Sequence, residues 1–193
     1  MSLRKPIEFI SVEVYLEGEK DSPIRHEYVD GHVFAMAGAS DRHNRIAINF
    51  TSRLNDSLSD GPCAVFMSDM KLVVDANTYY YPDVVVACDP PGGDRYTRRQ
   101  PILIVEITSH TTERTDRFEK LPTYKRISGL KECVLVAQDQ MFIEIHRMID
   151  SEWRIEILTK PEEVLRLDSV GPRLRLTLAE VYRNAELDTS SKV

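Results

Sequence analysis

Apolar residues recur along the chain with two different periods, and the places where the period changes mark out the elements. Residues 8–20 carry their apolar side chains at helical spacing, which predicts an amphipathic helix ended by Gly18 and the polar "EGEKDSP". The next stretch, "RHEYVDGHVFAMAG", sets Asp30 and Gly31 between two short apolar runs, the signature of a β-hairpin. Helical spacing returns in "SDRHNRIAINFTSRLNDSL", where Ile46, Ala47, Phe50 and Leu54 share a face, Ser40 or Asp41 serves as cap, and Gly61-Pro62 closes the segment. Two β-rich runs follow, "CAVFMSDMKLVV" and "TYYYPDVVVACD", joined by "DANT". After the loop "PPGGDRYTRRQ" comes a third, "PILIVEIT", whose unbroken apolar run suits a strand covered on both faces.

A helix is predicted from about Asp116 to Ser128, stopped by Gly129. Strands "ECVLVA", "MFIEIHR" and "EWRIEIL" come next, the first two separated by the turn "QDQ". Thr177 and Glu180 have the spacing of a capping box for a last helix, "LAEVYRNA". Together these elements predict one α/β domain over residues 1–187, with a central mixed sheet flanked by helices, and a frayed tail at 188–193.

Composition changes this picture in a few places. The chain has 193 residues, enough to bury one sizeable core, and no apolar run near the roughly 20 residues of a membrane-spanning helix. The first 20 residues lack a continuous apolar stretch and a small-residue cleavage site, so an unprocessed, cytoplasmic protein is expected. Cys63, Cys88 and Cys133 lie far apart, with neither C-x-x-C pairs nor metal-ligand spacing, which predicts reduced, buried thiols. A net charge of -6 argues against a protein that binds nucleic acid over its whole surface. Residues 95–126 nevertheless hold eight Lys or Arg against four acids, a local +4 that leaves -10 on the rest. Arg95, Arg98, Arg99, Arg114 and Arg117 are therefore candidate nucleic-acid contacts; a solvated face laced with ion pairs is the alternative.

Two acids stand out against the apolar pattern. Asp83 follows Pro82 at the mouth of Val84-Val85-Val86, and Glu106 stands at the exit of Ile102-Leu103-Ile104-Val105. Alternation puts Glu106 on one strand face with Thr108, opposite Val105 and Ile107. If the two strands are neighbours, the carboxylates converge, and two bare carboxylates side by side require a shared proton or a cation. Mg²⁺, or Mn²⁺ in its place, suits oxygen ligands of this kind. On the following helix Lys120 falls within the apolar arc of Ile127, Tyr124, Leu121 and Phe118, so its charge must reach a partner or its stem must snorkel outward.

Pro82-Asp83, Glu106 and a nearby lysine resemble the PD-(D/E)xK restriction-endonuclease-like superfamily. Within it the chain resembles the Uma-two family of bacterial endonucleases, through "HEYVDGHVFAMAGAS" with "RHNRIAINF", "SDMKLVV", "YYPDVVV", "PILIVEITSHTTERTDRFEKLPTYKRI" and "ECVLVAQDQ". The resemblance implies a restriction-endonuclease-like fold and a Mg²⁺-dependent endodeoxyribonuclease. Asp83, Glu106 and Lys120 would be catalytic, Asp83 and Glu106 metal ligands, and the protein a homodimer. Glu27, in a family-like segment, is a candidate third ligand; an exposed strand residue is the alternative. Two departures stand out: Thr108 occupies the superfamily's commonest lysine position, so the resemblance implies a lysine moved into the next helix, and Pro122 interrupts that helix. The rival reading is a non-cleaving nucleic-acid-binding or regulatory protein on the same fold. His43 reads as a semi-buried structural histidine, Asp69 and Lys71 as an ion pair, Tyr124 as packing and His110 as capped by nearby hydroxyls. Lys120→Met is expected to spare stability and metal binding while lowering cleavage about 10²-fold or more.

Overall fold

The computed structural model describes residues 9–58, 61–90, 93–171 and 174–187. Helix α1 (Val12–Lys20) begins at Ser11, whose hydroxyl accepts from the Val14 N–H, and runs through Gly18 instead of stopping there. Strands β1 (His26–Val29) and β2 (His32–Ala35) form the expected hairpin. Its turn holds Asp30 and Gly31 at φ 44° and 86°, the left-handed conformation that Asp-Gly supplies cheaply. Ser40 caps α2 (Asp41–Ser57), its hydroxyl accepting from the His43 N–H at 3.1 Å.

Each of the two β-rich runs that look continuous in sequence is cut in two. The first becomes β3 (Ala64–Met67) and β4 (Lys71–Asp75) around a turn at 68–70; the second becomes β5 (Thr78–Tyr80) and β6 (Val84–Ala87) around 81–83. At both cuts the chain steps from one sheet to another. Pro82 has no N–H to give a ladder, so a step between sheets accommodates it. Further along lie β7 (Thr97–Arg98), β8 (Pro101–Thr108), β9 (Glu132–Ala137), β10 (Ile143–Ile149) and β11 (Glu152–Leu158). A six-stranded mixed sheet runs β11-β10-β9-β8-β6-β3, and a five-stranded sheet runs β2-β1-β5-β4-β7. The mixed α/β class read from the sequence therefore holds, with the six-stranded sheet as its centre; what periodicity did not separate is the second sheet. A ribbon of β12 (Val164–Arg166) and β13 (Arg175–Thr177) was also not foreseen.

The parallel pair β8 and β9 needs a crossover, and a helical stretch supplies it: α3 (Glu113–Thr115), a π-helical turn (Asp116–Lys120) and α4 (Leu121–Tyr124). Helix α5 (Leu178–Val181) makes both bonds of the capping box but is shorter than predicted, with Asn184 at φ 61° soon after it. The tail expected at 188–193 lies outside the described residues.

Both faces of the six-stranded sheet are covered. One packs Val84, Val86, Leu103, Val105 and Ile107 against α2 and α5. The other packs Val85, Ile104 and Leu135 against Leu72 and Tyr80 of the second sheet and Leu121 and Tyr124 of α4. This explains the unbroken apolar run in β8, and it puts Glu106 between the two sheets.

The cysteine reading needs correction. Cys63 and Cys88 form a disulfide with Cα atoms 4.1 Å apart, while Cys133 stays a buried thiol as expected. The two half-cystines stand just outside the paired residues Ala64 and Ala87 of β3 and β6. Strand register brings them together, which spacing along the chain could not reveal. No helix among the described residues is long and apolar enough to cross a membrane.

Candidate active site

Val84 of β6 pairs with Val105 of β8 in antiparallel register, so the next residues outward, Asp83 and Glu106, lie side by side where the chain crosses between sheets. Backbone bonds lock them together: Asp83 Oδ2 accepts from the Ile107 N–H at 2.7 Å, and the Asp83 N–H donates to Glu106 Oε2 at 3.3 Å. The two acids converge as strand alternation suggested. On the other side of Asp83, Oδ1 lies 3.1 Å from His43 Nε2 in the first turn of α2.

Lys120 is buried and reaches the same place. Its ammonium lies 2.7 Å from Glu27 Oε1, 3.5 Å from Asp116 Oδ1 and 3.7 Å from Glu106 Oε1, and 5.6 Å from the centre of the Tyr80 ring. Tyr124 donates its hydroxyl to Glu106 Oε1 at 2.6 Å. Asp116, Lys120 and Tyr124, at intervals of four, thus share the inward side of the crossover. The π-helical turn lets Pro122 fit: the Leu121 N–H reaches back to the Asp116 carbonyl, and Pro122 falls in the first turn of α4, where a missing donor costs little. The proline does not divert Lys120.

Three carboxylates surround the Lys120 ammonium and Asp83 adds a fourth acid beside Glu106, and the titration of the site reflects that excess. Burial raises the Glu106 carboxyl well above its ordinary range; Lys120 opposes this while Asp83 and Asp116 add to it. Glu27 and Asp116 are likewise raised, chiefly by burial, against the pull of Lys120. For Lys120 burial works toward deprotonation, but Glu106, Glu27 and Asp116 outweigh it and hold the ammonium charged. Among the described residues, no three His, Cys, Asp or Glu side chains gather into a ready-made metal cage. Mg²⁺, however, commonly takes only one or two carboxylates from protein. Asp83 and Glu106 fit that demand, in a cluster where a divalent cation would relieve surplus negative charge.

Other expectations fare differently. Glu27, expected as either a third metal ligand or an exposed strand residue, is not exposed: its side chain is 12% accessible and its carboxylate lies 2.7 Å from the Lys120 ammonium. Thr108 is buried and directs its hydroxyl to the Val136 carbonyl at 3.5 Å, leaving Lys120 as the cation at the site. The five arginines divide into two groups, Arg95, Arg98 and Arg99 around β7 and Arg114 and Arg117 on the crossover. Arg98 lies 4.2 Å from the Phe66 ring centre and Arg117 pairs with Glu144 and Glu113, whereas Arg95, Arg99 and Arg114 are exposed. Asp69 and Lys71 do not pair: Asp69 sits in the turn after β3 and meets Arg25 at 3.5 Å, while the buried Lys71 ammonium is 5.1 and 5.9 Å from the Tyr15 and Tyr81 ring centres. His110 is exposed beside the hydroxyls of Ser109, Thr111 and Thr112, which bond one another.

Sequence reasoning undervalued three residues at the site. The four-residue spacing of Asp116, Lys120 and Tyr124 was a signal for two of them. His43 had none, because only the packing of α2 on the sheet brings it to Asp83.

Comparison with known proteins gives a consistent result. The profile of the Uma2 family, described as "Putative restriction endonuclease", matches residues 12–179. The chain is 33% identical over 183 residues to the uncharacterized protein slr1290 of Synechocystis, covering 92% of this chain and 94% of that one. A second Synechocystis protein, sll1609, is 29% identical over 156 residues, covering 78% and 88%. The crystal structure of "a putative nuclease belonging to DUF820" from Anabaena variabilis shares the fold, with a TM-score of 0.75 at 15% identity over 90% of this chain and 97% of that one.

Proposed function

This chain belongs to the Uma2 restriction-endonuclease-like family, and from that we propose that it is a metal-dependent endonuclease that hydrolyses phosphodiester bonds in DNA. The observation that carries the reading is the pairing of Asp83 with Glu106, locked through Ile107 and Asp83 backbone N–H groups, in a cluster with more carboxylates than cations. Asp83 and Glu106 would hold Mg²⁺, with Mn²⁺ as a substitute. Such an ion lowers the pKa of a bound water and offsets charge developing on phosphate.

The remaining roles follow from the chain's own groups. Hydrolysis joins a water oxygen to phosphorus and breaks one P–O ester bond, the water losing a proton and the departing sugar oxygen gaining one. Lys120, kept charged by Glu106, Glu27 and Asp116, has no lone pair with which to take that proton. Its part is electrostatic: to attract the phosphate and oppose the negative charge that builds on it. Tyr124 fixes the orientation of Glu106, and the Ile107 N–H fixes that of Asp83. The exposed Arg95, Arg99 and Arg114 add attraction toward a polyanion. Two copies would address two strands, and sedimentation measures whether the protein is such a dimer.

The test is nicking of supercoiled plasmid by the purified protein in Mg²⁺, Mn²⁺ or EDTA, beside Asp83→Ala. Nicking with either metal, lost in EDTA and in the variant, is expected. Folded protein that binds DNA without nicking it in either metal would support the non-cleaving alternative.

A further inference from the structure

A cavity of about 240 Å³ opens on the same sheet face as Glu106, two residues further along β8, with Thr108 in its wall. Leu135, Ala137 and Phe142 give it apolar and aromatic lining, while Glu113, Arg117, Asp139 and Gln140 supply polar groups. Two residues of strand span roughly 7 Å, about the reach from a phosphate to a neighbouring base.

The charges argue against a second phosphate there. Glu113 lies 3.7 Å from Arg117, which also pairs with Glu144, and Asp139 is bonded to Arg42 at 2.7 Å. Among the described residues lining it, the arginine is matched by carboxylates, so no surplus positive charge is left for an anion. What the cavity offers is an aromatic side chain, an apolar floor and a polar rim, the equipment for one flat heterocycle with hydrogen-bonding edges. Its Arg117 wall is built in advance. Glu144 holds Arg117 and meets His146 Nε2 at 2.6 Å, and His146 Nδ1 lies 2.9 Å from Lys125 Nζ.

Resting on the nuclease reading above, we infer that this cavity receives one unstacked nucleobase flanking the phosphate at Asp83 and Glu106. The preferred substrate is then single-stranded nucleic acid, or a duplex opened locally at the cut, because a base inside an intact stack cannot enter.

The experiment scans one abasic residue through each position of a short single-stranded oligonucleotide. Cleavage is followed in Mg²⁺ and binding by fluorescence anisotropy in EDTA, for the parent, Phe142→Ala and the exposed Gln140→Ala. One position should stand out, where base removal weakens binding and cleavage about tenfold. That sensitivity should vanish in Phe142→Ala and shrink in Gln140→Ala. The intact single strand should be cut faster than the same sequence fully paired. Equal binding of intact and abasic strands, or a sensitive position unaffected by both variants, would overturn the base pocket even if cleavage occurs. Base-sensitive binding with no cleavage in any metal would leave the pocket standing and overturn the nuclease.

Discussion

Lys120→Met probes the centre of the site most directly, and the structure changes what it should do. The helical wheel showed a lysine among apolar neighbours, from which a methionine stem would be a mild replacement. The structure shows instead an ammonium that faces three carboxylates, on a side chain 11% exposed, with Glu27, Asp116 and Glu106 at 12%, 6% and 4%. Solvent screens such a cluster little. Removing one partner of a buried ion pair costs about 3–5 kcal/mol, because the charge left behind is uncompensated. The carboxylates can answer by taking up protons, which their raised pKa values make easier, so the lower end, about 3 kcal/mol at pH 7, is expected. At roughly 2–4 °C per kcal/mol for a chain of this size, the melting temperature should fall by about 6–12 °C. Urea denaturation at pH 7 and pH 5 measures the effect, which should shrink at the lower pH. Adding Glu27→Gln to Lys120→Met should recover part of it by removing one stranded charge. A parent-like urea midpoint for Lys120→Met at pH 7 would refute the reasoning, since the ammonium would then not be the counter-charge of the cluster. Below the variant's melting range, cleavage should fall about 10²-fold or more.

Further outcomes follow from the same geometry. Asp83→Asn should abolish the calorimetric signal of Mg²⁺ binding while leaving the circular dichroism spectrum unchanged. Tyr124→Phe strips a buried hydrogen bond to Glu106 and should cost about 1.5–3 kcal/mol in urea unfolding. In metal-free protein Glu106 is raised above its unfolded value, so the folded state binds the extra proton between the two pKa values. Its contribution is fully present below about pH 4.3 and is lost as pH rises through the folded value. Glu106→Gln should therefore gain stability relative to the parent as pH rises toward neutrality, and a pH-independent difference would contradict this. Opening the Cys63–Cys88 bridge, which closes a separation of 25 residues, should cost about 3 kcal/mol, read as a lower melting temperature in Cys63→Ser/Cys88→Ser.

Much of the site was legible because its signals are local. Period-two alternation told that Glu106 leaves β8 on the side opposite Val105 and Ile107, and the helical wheel turned Lys120 inward. Ser40, Asp30-Gly31 and the Thr177-Glu180 box announced a helix start, a hairpin turn and a last helix, since each depends on bonds among residues a few positions apart. The family membership adds the order of these segments.

What only the tertiary structure decided are matters of register and partnership. Two β-rich runs each belong to two sheets, because Pro82 and the turn at 68–70 break the ladder where the chain crosses over. Pairing of β3 with β6 brings Cys63 to Cys88, and packing of α2 on the sheet brings His43 to Asp83. Glu27 meets Lys120 only because the second sheet lies over the first. A side chain's own strand or helix sets which way it points, and short spacings are enough to read that. Which charges it will meet depends on contacts between residues dozens of positions apart, and no local period encodes them.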